Sequence, residues 1–169
     1  IILHGWNADT SIYESIINML KRKYLVYIID LPGFGESMVP SRPYSLDDYV
    51  DFVHTFISNL NIDNPIIIGH SFGGRIAIRY VNKFEIKKLI LISSAGIKRF
   101  NLKTKYKICK YKLKKKYYLL TRNIPKLEEL QNNSGSSDYQ CLNNTMKRTM
   151  INIINTDQTK ELKNVNVPT

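Results

Sequence analysis

The chain has 169 residues, 43% of them hydrophobic, and a formal net charge of +11. That length and apolar content suit one globular domain with a buried core. The longest apolar runs, such as Leu89-Ile90-Leu91-Ile92, are far shorter than the ~20 residues that cross a bilayer. Cys109 and Cys141 have no metal-binding or redox spacing, and no charged-then-apolar leader is present. The expectation is a cytoplasmic protein with two reduced thiols and neither metal nor cofactor.

In chain order, residues 1–3 read as a strand. Ile12 to Arg22 reads as an amphipathic helix with Ile12, Ile16, Ile17 and Leu20 inward. Leu25 to Ile29 is the next strand. Ser45-Leu46-Asp47-Asp48 has an N-cap residue followed three positions later by an acid. The helix it opens carries Leu46, Tyr49, Val50, Val53, Phe56, Ile57 and Leu60 at helical spacing. Ile66–Ile68 is a strand, 72–84 a helix with Ile76, Ala77, Tyr80, Val81 and Phe84 on one face, and Lys88–Ser93 a further strand. Uniformly apolar strands alternating with helices predict an α/β fold, with a parallel sheet covered on both faces.

After Gly96 the alternation stops. Residues 98–160 are polar, basic and weakly periodic, and Ser134 to Tyr139 reads as a connector between helices. Between Lys98 and Lys126 twelve Lys and Arg residues occur with no acid among them, interleaved with Tyr106, Tyr111, Tyr117 and Tyr118. Such a stretch can bind nucleic acid or an anionic surface. Without an accompanying nucleic-acid motif, a solvated helical face is the preferred reading. Nucleic-acid binding is not expected, and weak contact with an anionic surface through 98–126 is kept open.

The chemistry concentrates at Gly69-His70-Ser71-Phe72-Gly73, directly after the apolar strand and before a helical pattern. A Gly-x-Ser-x-Gly at a strand-to-helix junction is a nucleophile elbow. The turn at the serine is so tight that side chains two residues either side would collide, hence glycine at both places. Ser71 would sit at the amino end of the next helix, where the Phe72 amide and the helix dipole can stabilise an oxyanion.

Two upstream segments agree. Ile1-Ile2-Leu3-His4-Gly5-Trp6 and Asp30-Leu31-Pro32-Gly33-Phe34-Gly35-Glu36-Ser37 precede the elbow in order. With the elbow, they resemble the α/β-hydrolase superfamily, closely over residues 1 to about 97. The resemblance implies an α/β-hydrolase fold: a mostly parallel sheet flanked by helices, with a helical cap inserted over the active site. It implies a core at 1–97, a cap at 98–160 and the lead-in to another core strand at 161–169. The Trp6 amide would supply the second oxyanion donor. Ser71 would attack an ester or related carbonyl of a small-molecule acyl substrate. The capped esterase and carbon–carbon hydrolase branches are those resembled. Serine at this position sets aside the aspartate-nucleophile branches.

A serine nucleophile needs a base, and the base an orienting acid. In this superfamily the order is Ser, then acid, then His. The chain holds only His4, His54 and His70, none after Ser71. His4 is expected to hydrogen-bond locally, His54 to sit in a helix outside the sheet, and His70 to point away from the nucleophile. Asp138 and Asp157 are conceivable acids expected on solvent-facing ground. The chain therefore reads as an internal fragment with sheet strands missing at both ends, whose acid and histidine lie beyond it. The competing reading is a catalytically incomplete hydrolase fold that binds a ligand or partner.

Overall fold

In the computed structural model, residues 1–8, 10–97 and 102–169 are described. They divide into two compact units, Ile1–Lys98 with Asn143–Thr169, and Arg99–Leu142.

The first unit is built on a four-stranded parallel sheet. Its strands are β1 (Ile2–Leu3), β2 (Ile28–Ile29), β3 (Ile66–His70) and β4 (Lys88–Ile92), in spatial order β2-β1-β3-β4. Leu3 pairs with Gly69 and Gly69 with Leu91, so the carboxyl ends of β1, β3 and β4 finish side by side. That is the edge at which open parallel α/β sheets place their sites.

Helix α2 (Leu46–Asn59) starts at a capping box. The Ser45 hydroxyl accepts from the Asp48 amide, and the Asp48 carboxylate accepts from the Ser45 amide at 2.6 Å. Arg42 pairs with the same carboxylate and, as the first cause, holds it well below the usual carboxylate range. Leu46, Tyr49, Val50, Val53 and Ile57 are buried. Phe56 is half-buried, and Leu60 falls outside the helix, exposed. Helix α3 (Phe72–Val81) lies between the sheet and α2. It is therefore buried on nearly every side: Arg75 and Ile78 are enclosed together with Ile76, Ala77 and Tyr80. The one-face pattern expected for it is too narrow, and the helix stops at Val81 rather than Phe84.

The expected helix from Ile12 is a 3-10 turn over Ser11–Tyr13 followed by α1 (Glu14–Leu20). Ile12 is 63% exposed, and the buried side chain is Tyr13. Ile16, Ile17 and Leu20 are half-buried. The 3-10 turn rotates the chain relative to a continuous helix, which brings Tyr13 inward in place of Ile12. Strand β2 is shorter than the apolar run that predicts it, and Leu25 is 80% exposed. Along β4 the sheet buries Leu89 on one face and leaves Ile90 and Ile92 partly open on the other.

Helix α7 (Asn144–Asn155) and α8 (Thr159–Lys163) belong to this first unit. Residues 143–160 were expected with the cap; specific contacts place them on the core instead. Met146 is buried where a Cβ on Gly33 would touch its sulfur at 2.6 Å. The Thr149 hydroxyl accepts from the Tyr44 amide at 2.9 Å, and Asn152 donates to the Tyr44 carbonyl at 3.1 Å. Of the expected lead-in at 161–169, Leu162 and Lys163 end α8, and the Pro168 carbonyl accepts from the Leu89 amide at 3.0 Å, beside β4.

The second unit contains α4 (Leu102–Leu120), α5 (Ile124–Asn132) and α6 (Ser137–Gln140). Asn123 caps α5 and Ser136 caps α6 through their side-chain oxygens. The connector expected at 134–139 is thus a turn at Ser134–Gly135 running into α6. Lys98 and Arg99 of the basic stretch lie outside the described residues.

Candidate active site

Ser71 stands between β3 and α3 with φ +49° and ψ −105°. A serine pays for positive φ with about 1–2 kcal/mol of strain and keeps it only where its surroundings impose it. They do so through its peptide groups. The Ser71 amide donates to the Ile92 carbonyl at 3.0 Å, and the Ser71 carbonyl accepts from the Ala95 amide at 3.1 Å. Both bonds go to the chain leaving β4. The hydroxyl makes no capping bond to α3.

The glycines explain how three backbones meet at this point. A Cβ on Gly69 would lie 2.6 Å from the Gly74 Cα, and one on Gly73 only 2.1 Å from the Leu3 carbonyl oxygen. The Gly73 amide donates to the His4 carbonyl at 3.0 Å, locking the first turn of α3 to the exit of β1. Gly5 faces Ser71: a Cβ there would lie 3.4 Å from the Ser71 Cβ and 3.1 Å from His70 Nδ1. The His-Gly-Trp segment and the elbow are therefore adjacent.

His4 is wholly buried. Its Nε2 accepts from the Leu31 amide at 2.9 Å, so its Nδ1 carries the proton and donates to the Gly5 carbonyl at 2.7 Å. It ties β1 to the loop after β2. In that loop the Asp30 carboxylate accepts from the Glu36 amide at 3.0 Å, and the Ser37 hydroxyl donates to the Asp30 carbonyl at 2.6 Å. A side chain on Gly35, at φ +52°, would strike the Asp30 carboxylate at 2.2 Å. The loop presents Phe34 edge-on to Trp6 at 4.8 Å between ring centroids, and Trp6 meets Phe72 at 5.2 Å. Tyr49 packs against the other side of Phe72 at 5.0 Å and donates to the Pro32 carbonyl at 3.0 Å; burial pushes its phenol far above the ordinary value. Ser71, Trp6 and Phe72 thus come together. The Trp6 indole Nε1 is enclosed with no partner among the described residues.

Each of the three histidines has partners of its own. His4 is engaged as above. His54 stacks on Phe84 at 3.7 Å and meets the Tyr80 hydroxyl at 3.2 Å, between α2 and α3. His70 Nδ1 pairs with the Tyr13 hydroxyl at 2.9 Å, and that hydroxyl also accepts from the Gly5 amide at 3.2 Å. Burial raises the Tyr13 phenol above its ordinary value. Asp138 is exposed, and Asp157, also exposed, caps its own turn through Thr159.

Sequence reasoning missed Tyr13, which supports the Gly5 loop. It also missed the contacts of Arg75 and Gln158. Arg75 donates to the Ile153 and Thr156 carbonyls at 3.1 and 2.9 Å, at the end of α7 where the helix dipole favours a cation. Burial draws its guanidinium below the ordinary value, with Asp157 opposing. Gln158 is wholly buried, donates to the Arg75 carbonyl at 2.8 Å, and its amide donates to the Gly96 carbonyl at 2.9 Å. A tyrosine one position off the apolar phase and a glutamine in a polar stretch carry no signal readable without the fold. Among the described residues no cluster of metal-ligating side chains exists.

The family model described as alpha/beta hydrolase fold matches residues 1–138. The chain belongs to this family. It is 39% identical over 100 residues to the AB hydrolase superfamily protein YisY of Bacillus subtilis, covering 57% of this chain and 37% of that protein. It is 31% identical over 98 residues to a pimeloyl-[acyl-carrier protein] methyl ester esterase of Pseudoalteromonas atlantica, covering 56% and 36%. The solved structure of a marine microorganism esterase superimposes on 99% of this chain and 72% of its own, at 28% identity and a TM-score of 0.66. The chain spans little more than a third of the length of these two curated relatives.

Proposed function

We propose that Ser71 is the nucleophile of a serine hydrolase acting on a small-molecule ester or related carbonyl. The observation that carries this is the Ser71 peptide: held at φ +49° by bonds to Ile92 and Ala95, beside a Gly5 that leaves room for it. Strain of this kind at the carboxyl edge of a sheet is spent where a side chain must be presented. The Ser71 hydroxyl attacks the carbonyl carbon. The amides of Phe72 and Trp6 stabilise the resulting oxyanion, a service that removal of a single donor shows to be worth about 3–4 kcal/mol in well-studied hydrolases. Collapse of the tetrahedral adduct expels the leaving group and leaves an acyl-enzyme on Ser71, which water then hydrolyses. The proton must go to a base outside residues 1–169, because His4, His54 and His70 are held by other partners. Similarity to an esterase that acts on a methyl ester supports ester hydrolysis.

The test is intact-mass labelling with a fluorophosphonate probe, with Ser71→Ala as control. The complete gene product should be labelled at Ser71, and the 169-residue chain by itself should not. Labelling that survives Ser71→Ala would reject Ser71 as nucleophile. Labelling of the short chain at Ser71 would place the base within it. A folded complete product that resists the probe would favour a non-catalytic ligand-binding module.

A further inference from the structure

The described residues of α4 carry an apolar stripe with lysines on both flanks. Leu102, Tyr106, Cys109, Leu113, Tyr117 and Leu120 recur every three or four residues, which aligns them along one side of a helix about 28 Å long. The leucines and tyrosines of the stripe are between 62% and 75% exposed. Lys112 and Lys116 border it on one side and Lys110 and Lys114 on the other, all exposed. The opposite face, Tyr111, Lys115 and Tyr118, is half-buried, and α4 contacts α5 within its own unit. The helix contains eight lysines, no arginine and no acid.

We propose that this face of α4 docks in the surface of an anionic lipid bilayer. The helix lies in the interface and does not cross, since no described helix is long and apolar enough to span a membrane. The choice of occupant follows from chemistry. Protein–protein interfaces are depleted of lysine relative to the rest of the surface, whereas here lysine follows the stripe along its whole length. A nucleic-acid helix would present polar and arginine side chains to base edges along the middle of the face, where this one presents leucine. Leucine below, tyrosine rings at headgroup level, and lysine stems lying over apolar ground with ammonium groups among lipid phosphates satisfy every side chain of the face together. Lysine, a compact point charge, suits a diffuse anionic surface, where arginine's fork would suit a single bidentate phosphate. This inference does not rest on the hydrolase reading and stands or falls without it.

The experiment is co-sedimentation of the chain with vesicles of phosphatidylcholine containing one-third phosphatidylglycerol. Binding is expected at about 0.1 M salt and should be lost toward 1 M, as the screening length falls from about 10 Å to about 3 Å. Vesicles of phosphatidylcholine alone should bind at least tenfold more weakly. Lys112→Gln with Lys116→Gln should weaken binding roughly 25-fold, about fivefold per lysine. Leu113→Ser with Leu120→Ser keeps the charge and should cost about tenfold or more. Should the leucine pair disturb α4 by circular dichroism, the exposed thiols decide. A polarity-sensitive fluorophore on Cys109, in a Cys141→Ser chain, should shift to the blue on anionic vesicles, and one on Cys141, in a Cys109→Ser chain, should not. Three results overturn the proposal: no vesicle binding at low salt, binding indifferent to the leucine pair with an unshifted Cys109 probe, or binding to a single-stranded oligonucleotide without binding to vesicles.

Discussion

Replacing Gly73 by alanine tests whether the site is fixed by backbone contact. The new Cβ would lie 2.1 Å from the Leu3 carbonyl oxygen, 2.5 Å from its carbon and 2.8 Å from the His4 oxygen. All three are main-chain atoms at the end of β1 and the residue after it, so no rotamer change relieves them. Reaching ordinary contact needs a separation of about 1 Å between α3 and the end of β1, which breaks the bond from the Gly73 amide to the His4 carbonyl, now 3.0 Å. Overpacking costs about 1–3 kcal/mol, and the buried Gly73 amide left unsatisfied about 1–3 kcal/mol more. Alanine returns about 1 kcal/mol as the better helix former. The net is a destabilisation of about 3 kcal/mol, which lowers a urea midpoint by about 1–3 M at ordinary slopes. The companion Gly74→Ala meets the Ser94 side chain at 2.2 Å and its Cα at 3.1 Å. Adding Ser94→Gly removes the worst of that overlap and should restore part of the loss, while no second substitution of a side chain rescues Gly73→Ala. A midpoint within about 0.3 M of the parent for Gly73→Ala, at unchanged slope, would refute the argument.

Tyr13→Phe removes the hydroxyl between the Gly5 amide and His70 Nδ1, leaving a buried amide unpaired; urea denaturation should show a loss of about 1–3 kcal/mol.

The elbow, the His-Gly segment and the loop from Asp30 were legible because their constraints are steric and short-range. Gly69, Gly73 and Gly35 stand where a Cβ would meet backbone or a carboxylate, and such constraints leave glycines at fixed spacing. The capping box at Ser45 was legible for the same reason. Tyr13 was not, because a 3-10 turn shifts the phase of the helix by a fraction of a turn and exchanges Ile12 for its neighbour. Nor was the return of α7 to the first unit. It depends on Met146 filling the space over Gly33 and on Arg75 reaching the carbonyls at the end of α7, pairings separated by some 80 residues or more that no local pattern encodes.

Arg75 and Gln158 also connect the site to the rest of the chain. Arg75 sits one helical turn after Ser71 on α3, and its carbonyl accepts from Gln158, whose amide bonds to Gly96. Gly96 follows directly on Ala95, which holds the Ser71 carbonyl. The chain thus leaves the first unit from the residues that fix the elbow and returns to residues pinned on the elbow's own helix. A cation buried without a carboxylate hydrogen-bonded to it is costly unless carbonyls replace its water, and here two carbonyls at a helix end do so. The strain at Ser71 is therefore opposed from both sides of the excursion. On this geometry, loosening Arg75 would be felt first in the setting of Ser71 and the return of α7, and only later in the sheet, whose own ladder does not involve either residue.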